Sequence, residues 1–191
     1  SGAKIIVFPE LCVTGYTCSD LFTQDVLLDH AREVLTEIAA HTRDMDALVF
    51  VGAPLAVDGE LYNVAAAMNH GKILGLTTKT FLPNYGEFYE MRQFREGPEK
   101  AREIEFDGEM VPFGPKILFA AKKMEHLIVV TEICEDVWSP VPPSIEAVRE
   151  GATVIVNCSA SDETIGKATY RESLIEGQSA RLIAGYIYSN A

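Results

Sequence analysis

A chain of 191 residues, 48% hydrophobic and 23% charged, is suited to one globular domain with a sizeable core. Its formal charge of -12 is spread without a basic block, which disfavours nucleic acid or an anionic membrane as partner, because neutralising phosphate takes clustered Lys and Arg. Apolar runs such as IIVF and LIVV stop well short of the ~20 residues that span a bilayer, no signal peptide is visible, and the four cysteines lack C-x-x-C spacing, as expected of reduced thiols in the cytoplasm.

The first strand is predicted at KIIVF (4–8), with no element before it. The segment TQDVLLDHAREVLTEIAAHTRD places Val26, Leu27, Ala31, Val34, Leu35, Ile38 and Ala39 at helical spacing, with Thr23 as a cap. Strands follow at 47–53, 61–68 and 72–78, the last two joined by a hairpin at NHG (69–71). Residues 81–111, rich in Pro, Gly and charge, read as a long loop of the kind that carries function. Beyond it come a strand at 126–133, a helix opened by Pro143 and Ser144 and closed by Gly151, a strand at 152–159, a helix at 168–182 and a strand at 182–189. This mixture of crossovers and hairpins predicts an α+β fold with helices packed on a mixed sheet.

Three polar residues stand where apolar strands end: Glu10, Lys79 and Cys134. Strand carboxyl ends are where open sheets bind ligands. Singly, a Glu there is more often a solvated turn residue, a Lys a surface charge and a buried Cys a small hydrophobe. Together a carboxylate, a cation and a thiol are the parts needed for acyl transfer. The usual histidine partner is missing, since His30 and His41 fall on the first helix, His70 in a turn and His126 about 25 Å of extended strand away from Cys134. Metal-ligand spacing is lacking as well. Glu10 is then the candidate base, although acidic neighbours at 132 and 135 should raise the thiol pKa and dull it.

The stretches FPELCVTGY (8–16), KTFLPNYGEFYEMRQF (79–94) and EICEDVWSP (132–140) resemble the nitrilase superfamily of carbon–nitrogen hydrolases with its Glu-Lys-Cys triad. LPNYGEFYE, ICEDVWSPVPPS and NCSASDETIGK are similar to the glutaminase domain of glutamine-dependent NAD synthetases. The resemblance implies a four-layer α-β-β-α sandwich formed by residues 1–191. That sandwich is expected to be incomplete at both ends, because family members carry a strand and helix before the FPE strand and further strands after the last one here. It implies Glu10 as general base, Lys79 as cation, Cys134 as nucleophile and Glu87 as the second glutamate that supports the lysine. Tyr85, Phe88, Glu135 and Ser161 match glutamine-holding positions, and Lys167 stands where relatives carry a basic residue facing the substrate α-carboxylate. Asp136 is expected to tie down the turn after the nucleophile, while Cys12 and Cys158 are expected in the core and Cys18 in a loop. Trp138 and Pro140 would line the pocket or simply pack.

No cofactor is implied for glutamine hydrolysis. ATP and magnesium would belong to a synthetase domain outside these residues, since no SGGxDS-type phosphate loop is present. L-glutamine, that synthetase domain and further copies of the chain are the implied partners. Two alternatives stand beside this reading: a stand-alone aliphatic amidase of the superfamily, and a non-catalytic relative used for binding or assembly, which would be expected to have lost a triad member.

Overall fold

The computed structural model describes residues 2–191. Strand β1 (Ile5–Val7) leads through a 3-10 segment (Tyr16–Thr23) into helix α1 (Asp25–His41), then into β2 (Leu48–Val57), β3 (Glu60–Asn69) and β4 (Lys72–Thr78). A single-turn helix α2 (Glu90–Gln93) precedes β5 (Arg102–Phe106), β6 (Glu109–Gly114) and β7 (Leu118–Ala120). The chain continues with β8 (Ile128–Ile133), a second 3-10 segment (Cys134–Trp138), α3 (Pro143–Arg149), β9 (Val154–Ser159), α4 (Lys167–Leu182) and β10 (Gly185–Asn190).

Turn chemistry sets the strand pairing. At His70–Gly71 both residues take positive φ, 48° and 81°, the backbone of a two-residue turn whose twist matches its strands, and β3 pairs antiparallel with β4 as the NHG signal predicts. Asp58–Gly59 and Asp107–Gly108 close the β2–β3 and β5–β6 hairpins in the same way. One sheet runs β1-β2-β3-β4-β6-β5 and the other β10-β9-β8-β7. β8, β9 and β10 are mutually parallel, with α3 and α4 as crossovers.

Four layers result. Leu35 and Ala39 of α1 pack on Val49, Val51, Val64, Ala66 and Met68, the outer face of the six-stranded sheet. Phe50, Ala65 and Ala67 meet Phe119, Val129, Ile133 and Val156 between the sheets, and Ala147 and Leu182 cover Val130 and Ile155 on the far side. Burying a side chain such as Leu35 completely contributes ~1.5–3 kcal/mol each time. The α-β-β-α sandwich expected from the resemblance is therefore present. No described helix is long and apolar enough to cross a membrane.

Several boundaries differ from expectation. The predicted loop 81–111 contains α2, β5 and the start of β6: buried Ile104 and Phe106 alternate with exposed Glu103 and Glu105, and Val111 is buried as β6 begins, a strand period masked by the surrounding Pro and charge. The final strand starts at Gly185, because Leu182 closes α4 and Ile183 turns the chain with φ 54°. Thr23 does not cap α1; its hydroxyl donates to the Asp20 carbonyl and Gln24 takes the cap position without a side-chain bond.

Candidate active site

Three strand ends converge. Glu10 follows β1 and Lys79 follows β4, both from the six-stranded sheet, while Cys134 follows β8 of the other. Glu10 and Lys79 are each 1% exposed and Cys134 6%. The Glu10 segment lies directly on β2 because Gly52 has no side chain: a Cβ there would sit 2.5 Å from the Leu11 nitrogen and from the Pro9 oxygen. Lys79 Nζ donates to Glu10 Oε1 at 2.7 Å and to Glu90 Oε1 at 2.6 Å. Asn63 Nδ2 also donates to Glu10 Oε1, at 2.7 Å, and the Ala160 N–H to Glu10 Oε2, at 3.0 Å.

The carboxylate that supports Lys79 is thus Glu90 and not Glu87, which corrects the sequence reading. Within LPNYGEFYE the chain turns tightly, with Phe88 N–H donating to the Tyr85 carbonyl at 3.0 Å and Glu90 N–H to the Pro83 carbonyl at 3.2 Å. That turn leaves Glu87 exposed at the rim and tucks Glu90 inward to 4% exposure, where the Tyr16 hydroxyl donates to it at 2.8 Å.

Cys134 sits at φ 43°, left-handed backbone that is uncommon for a non-glycine residue and that turns the strand sharply into the 3-10 segment. Its N–H donates to Asn157 Oδ1 at 3.0 Å. Asp136 ties down the turn as expected and does more. One oxygen accepts the Ile133 N–H at 2.9 Å, and the other accepts the N–H groups of Thr80 and Phe81 at 3.0 and 2.9 Å, fastening the Cys134 turn to the residues that follow Lys79. Glu135 turns to the Tyr85 hydroxyl, which donates to both its oxygens at 3.0 Å. The acids beside the thiol therefore find their own donors.

Burial, then the Glu10 charge, push the Cys134 thiol up to about 12 against the pull of Lys79, the Ser159 hydroxyl and the Ala160 N–H. At neutral pH the resting group is a thiol that needs a base. Burial works against a charged Lys79, but Glu10 and Glu90 outweigh it and hold the ammonium well above its ordinary pKa. Glu90 is lifted to about 7 by burial and by Glu10, with Lys79 acting in the opposite direction. A protonated lysine, one carboxylate on either side of it and a neutral thiol are the arrangement that general-base acyl transfer uses.

The expected substrate contacts gather around one mouth. The rings of Tyr85 and Phe88 meet edge to face at 5.8 Å. Lys167 Nζ lies 5.8 Å from the centroid of Phe88 and 5.3 Å from that of Trp138, and it pairs with Asp162. Trp138 stacks on Tyr170 at 5.6 Å, so it both packs and walls this side. Ser161 is 4% exposed and its N–H donates to Asn190 Oδ1 at 2.7 Å. Cys158 is buried, Cys18 is half-buried in the first 3-10 segment, and Cys12 is exposed where a core position is expected. Asn63, Glu90, Asn157 and Tyr16 escape sequence reading, although a polar Asn inside the apolar runs LYNVAAAM and VIVNCS is a signal for two of them.

A family model described as carbon-nitrogen hydrolase matches residues 1–191. The glutamine-dependent NAD(+) synthetase of Mycobacterium tuberculosis is 42% identical over 190 residues, 100% of this chain and 28% of that protein. The crystal structure of a glutamine-dependent NAD(+) synthetase from Cytophaga hutchinsonii superposes with a TM-score of 0.87 and 34% identity, over 99% of this chain and 30% of that one. The corresponding enzyme from Acinetobacter baumannii, solved with ADP, gives 0.78 and 25%, over 98% of this chain and 31% of that one. The chain spans less than a third of the length of each of these relatives.

Proposed function

The chain belongs to the carbon-nitrogen hydrolase family, and from that premise we propose that it hydrolyses the side-chain amide of glutamine through a Cys134 thioester. The observation that carries the reading is the Lys79 ammonium clasped between Glu10 and Glu90 at 2.7 and 2.6 Å beside a buried neutral thiol. Glu10 takes the thiol proton as the sulfur attacks the amide carbon, a role worth ~10²–10⁴-fold. Lys79 and the backbone N–H of Glu135 stabilise the oxyanion; loss of one such donor costs roughly 3–4 kcal/mol. Glu10 then returns its proton to the leaving nitrogen, ammonia departs and a γ-glutamyl thioester remains. Water, deprotonated by Glu10, attacks that thioester and releases glutamate and the thiol.

Tyr85, Phe88, Glu135, Ser161 and Lys167 hold the substrate in this reading. Glu135, with its Tyr85 hydrogen bonds, faces the substrate ammonium, and Lys167 exchanges Asp162 for the substrate α-carboxylate. The ammonia goes to an ATP- and magnesium-dependent synthetase domain outside these residues, in a cytoplasmic homo-oligomer that makes NAD; the relatives' names support the link to NAD synthesis, and the ADP bound in the Acinetobacter baumannii enzyme supports ATP use there. The test is ammonia release from glutamine, asparagine and simple aliphatic amides by the chain and its Cys134→Ala variant. Glutamine-selective release that disappears in the variant supports the proposal. Release from aliphatic amides alone overturns it in favour of an amidase, and silence from the folded full-length polypeptide, which also holds the segments outside these residues, overturns it in favour of a binding role.

A further inference from the structure

The outer face of the four-stranded sheet changes character along its strands. Beneath α3 and α4 it begins with Val130 and Ile155, with Tyr186 of β10 level with Ile155, and toward the strand carboxyl ends it becomes polar, with Glu132 on β8 and Asn157 on β9 within reach of the Tyr186 hydroxyl. The strand period of two brings these residues to one face. Glu132 and Asn157 are both 0% exposed, and buried polar groups persist only when paired. Here the pairing runs in one direction. The Cys134 N–H donates to Asn157 Oδ1 at 3.0 Å, Asn157 Nδ2 to the Tyr186 hydroxyl oxygen at 3.2 Å, and the Tyr186 hydroxyl to Glu132 Oε2 at 2.8 Å. Glu132 Oε1 accepts the Ser144 N–H at 2.7 Å. A backbone N–H can only donate, so Asn157 must turn its oxygen to Cys134 and its NH₂ to the phenol, whose own proton is left for the carboxylate.

We propose that Asn157, Tyr186 and Glu132 are positioning residues for the nucleophile: a directional hydrogen-bond relay that fixes the Cys134 turn from behind the sheet. The inference rests on reading Cys134 as the nucleophile. None of the three touches the reacting atoms. Their leverage comes from the left-handed backbone of Cys134, which persists only where its surroundings over-determine it. If Asn157 loses its orientation, the Cys134 N–H loses its acceptor, and the turn relaxes toward extended backbone, which carries the sulfur away from Glu10. The relay also continues into the helices: Gln178 donates to the Ser144 hydroxyl at 2.8 Å, and Gln178 lies on α4, whose first residue is Lys167. One network thus joins the nucleophile turn to the helix that begins at the mouth.

The test uses Tyr186→Phe and Glu132→Gln in the full-length polypeptide, two substitutions that keep shape and delete or reverse one link. Steady-state hydrolysis of glutamine is measured together with the rate of iodoacetamide alkylation, followed on the peptide that contains Cys134. The expected result is a fall in kcat of about tenfold with KM within about twofold, and alkylation slowed by a similar factor, as displacement of a reacting group requires. Unchanged kcat and alkylation with only a lower melting temperature would overturn the proposal, because a network that merely supports the fold gives that pattern. If the unsubstituted protein releases no ammonia from glutamine, the reading of the reaction fails, and the alkylation rates still decide the relay. If one variant does not fold, the other carries the same comparison.

Discussion

Lys79 and Glu90 are eleven positions apart in the chain, yet the ammonium of one lies 2.6 Å from the carboxylate of the other in a setting almost closed to solvent. A buried ion pair of this kind is weak evidence for stability, since desolvation offsets much of the attraction. Its value is in fixing where the cation points.

Replacing Glu90 with Gln therefore should lower turnover by about 10–100-fold, because Lys79 keeps its charge but loses one of its two anchors. The same variant reports on pH. Burial raises the Glu90 carboxyl from 4.5 to about 7, so its contribution to stability is fully present below its unfolded value and is lost as pH rises through 7. Glu90→Gln, neutral throughout, should gain on the unsubstituted protein across that window by on the order of 1–3 kcal/mol. Denaturant melts of both proteins at about pH 5 and pH 8 check this.

Glu10 and Cys134 should respond in opposite senses. Since the Glu10 charge helps hold the thiol up near 12, Glu10→Gln should lower the thiol pKa and at the same time cut turnover by ~10²–10⁴-fold, as the proposed base is gone. Ultraviolet titration of the thiolate alongside glutamine hydrolysis separates the two effects. A variant with an unchanged or higher thiol pKa would show that Glu10 does not face the sulfur as a charge.

Asp136→Asn leaves one oxygen to serve N–H donors that now occupy two. One donor must go unsatisfied or meet an NH₂ group, a cost of about 1–3 kcal/mol. Turnover should fall further than that loss alone implies, because the same carboxylate joins the Cys134 turn to the segment after Lys79. Thermal melts combined with kcat measured well below the melting temperature distinguish the two contributions.

Gly52→Ala reaches the site from the opposite side. The added methyl would lie 2.5 Å from backbone atoms of Pro9 and Leu11, and backbone cannot rotate away as a side chain can. The strand or the Glu10 segment must shift, at about 1–3 kcal/mol. Reduced kcat with little change in KM is the expected signature, read from steady-state kinetics and a melting curve.

Much of this architecture is legible in the sequence. The strands through β4, the NHG turn and the helical spacing of α1 follow from apolar periodicity, and Glu10, Lys79 and Cys134 stand out as polar residues at strand ends. The β5–β6 hairpin has its own alternation about Asp107–Gly108, but the surrounding proline and charge obscure it. The choice between Glu87 and Glu90 depends on a turn closed by Phe88 and Glu90 backbone bonds, and spacing alone does not reveal which of two glutamates three positions apart faces inward. Asn157 and Tyr186 come together only through the parallel pairing of β9 with β10, a contact between segments separated by a helix.

Glu10 and Lys79 ride on one sheet and Cys134 on the other, so the distance between them is a property of the layer that holds the sheets apart. Ala65 and Ala67 occupy that layer opposite Ile133 and Val156. Small side chains there act as a spacer of fixed thickness, and a larger residue would wedge Cys134 away from Glu10 and Lys79 without touching any of the three. Reactivity in this molecule is thereby exposed to change at interior positions where an ordinary reading of the sequence finds only packing.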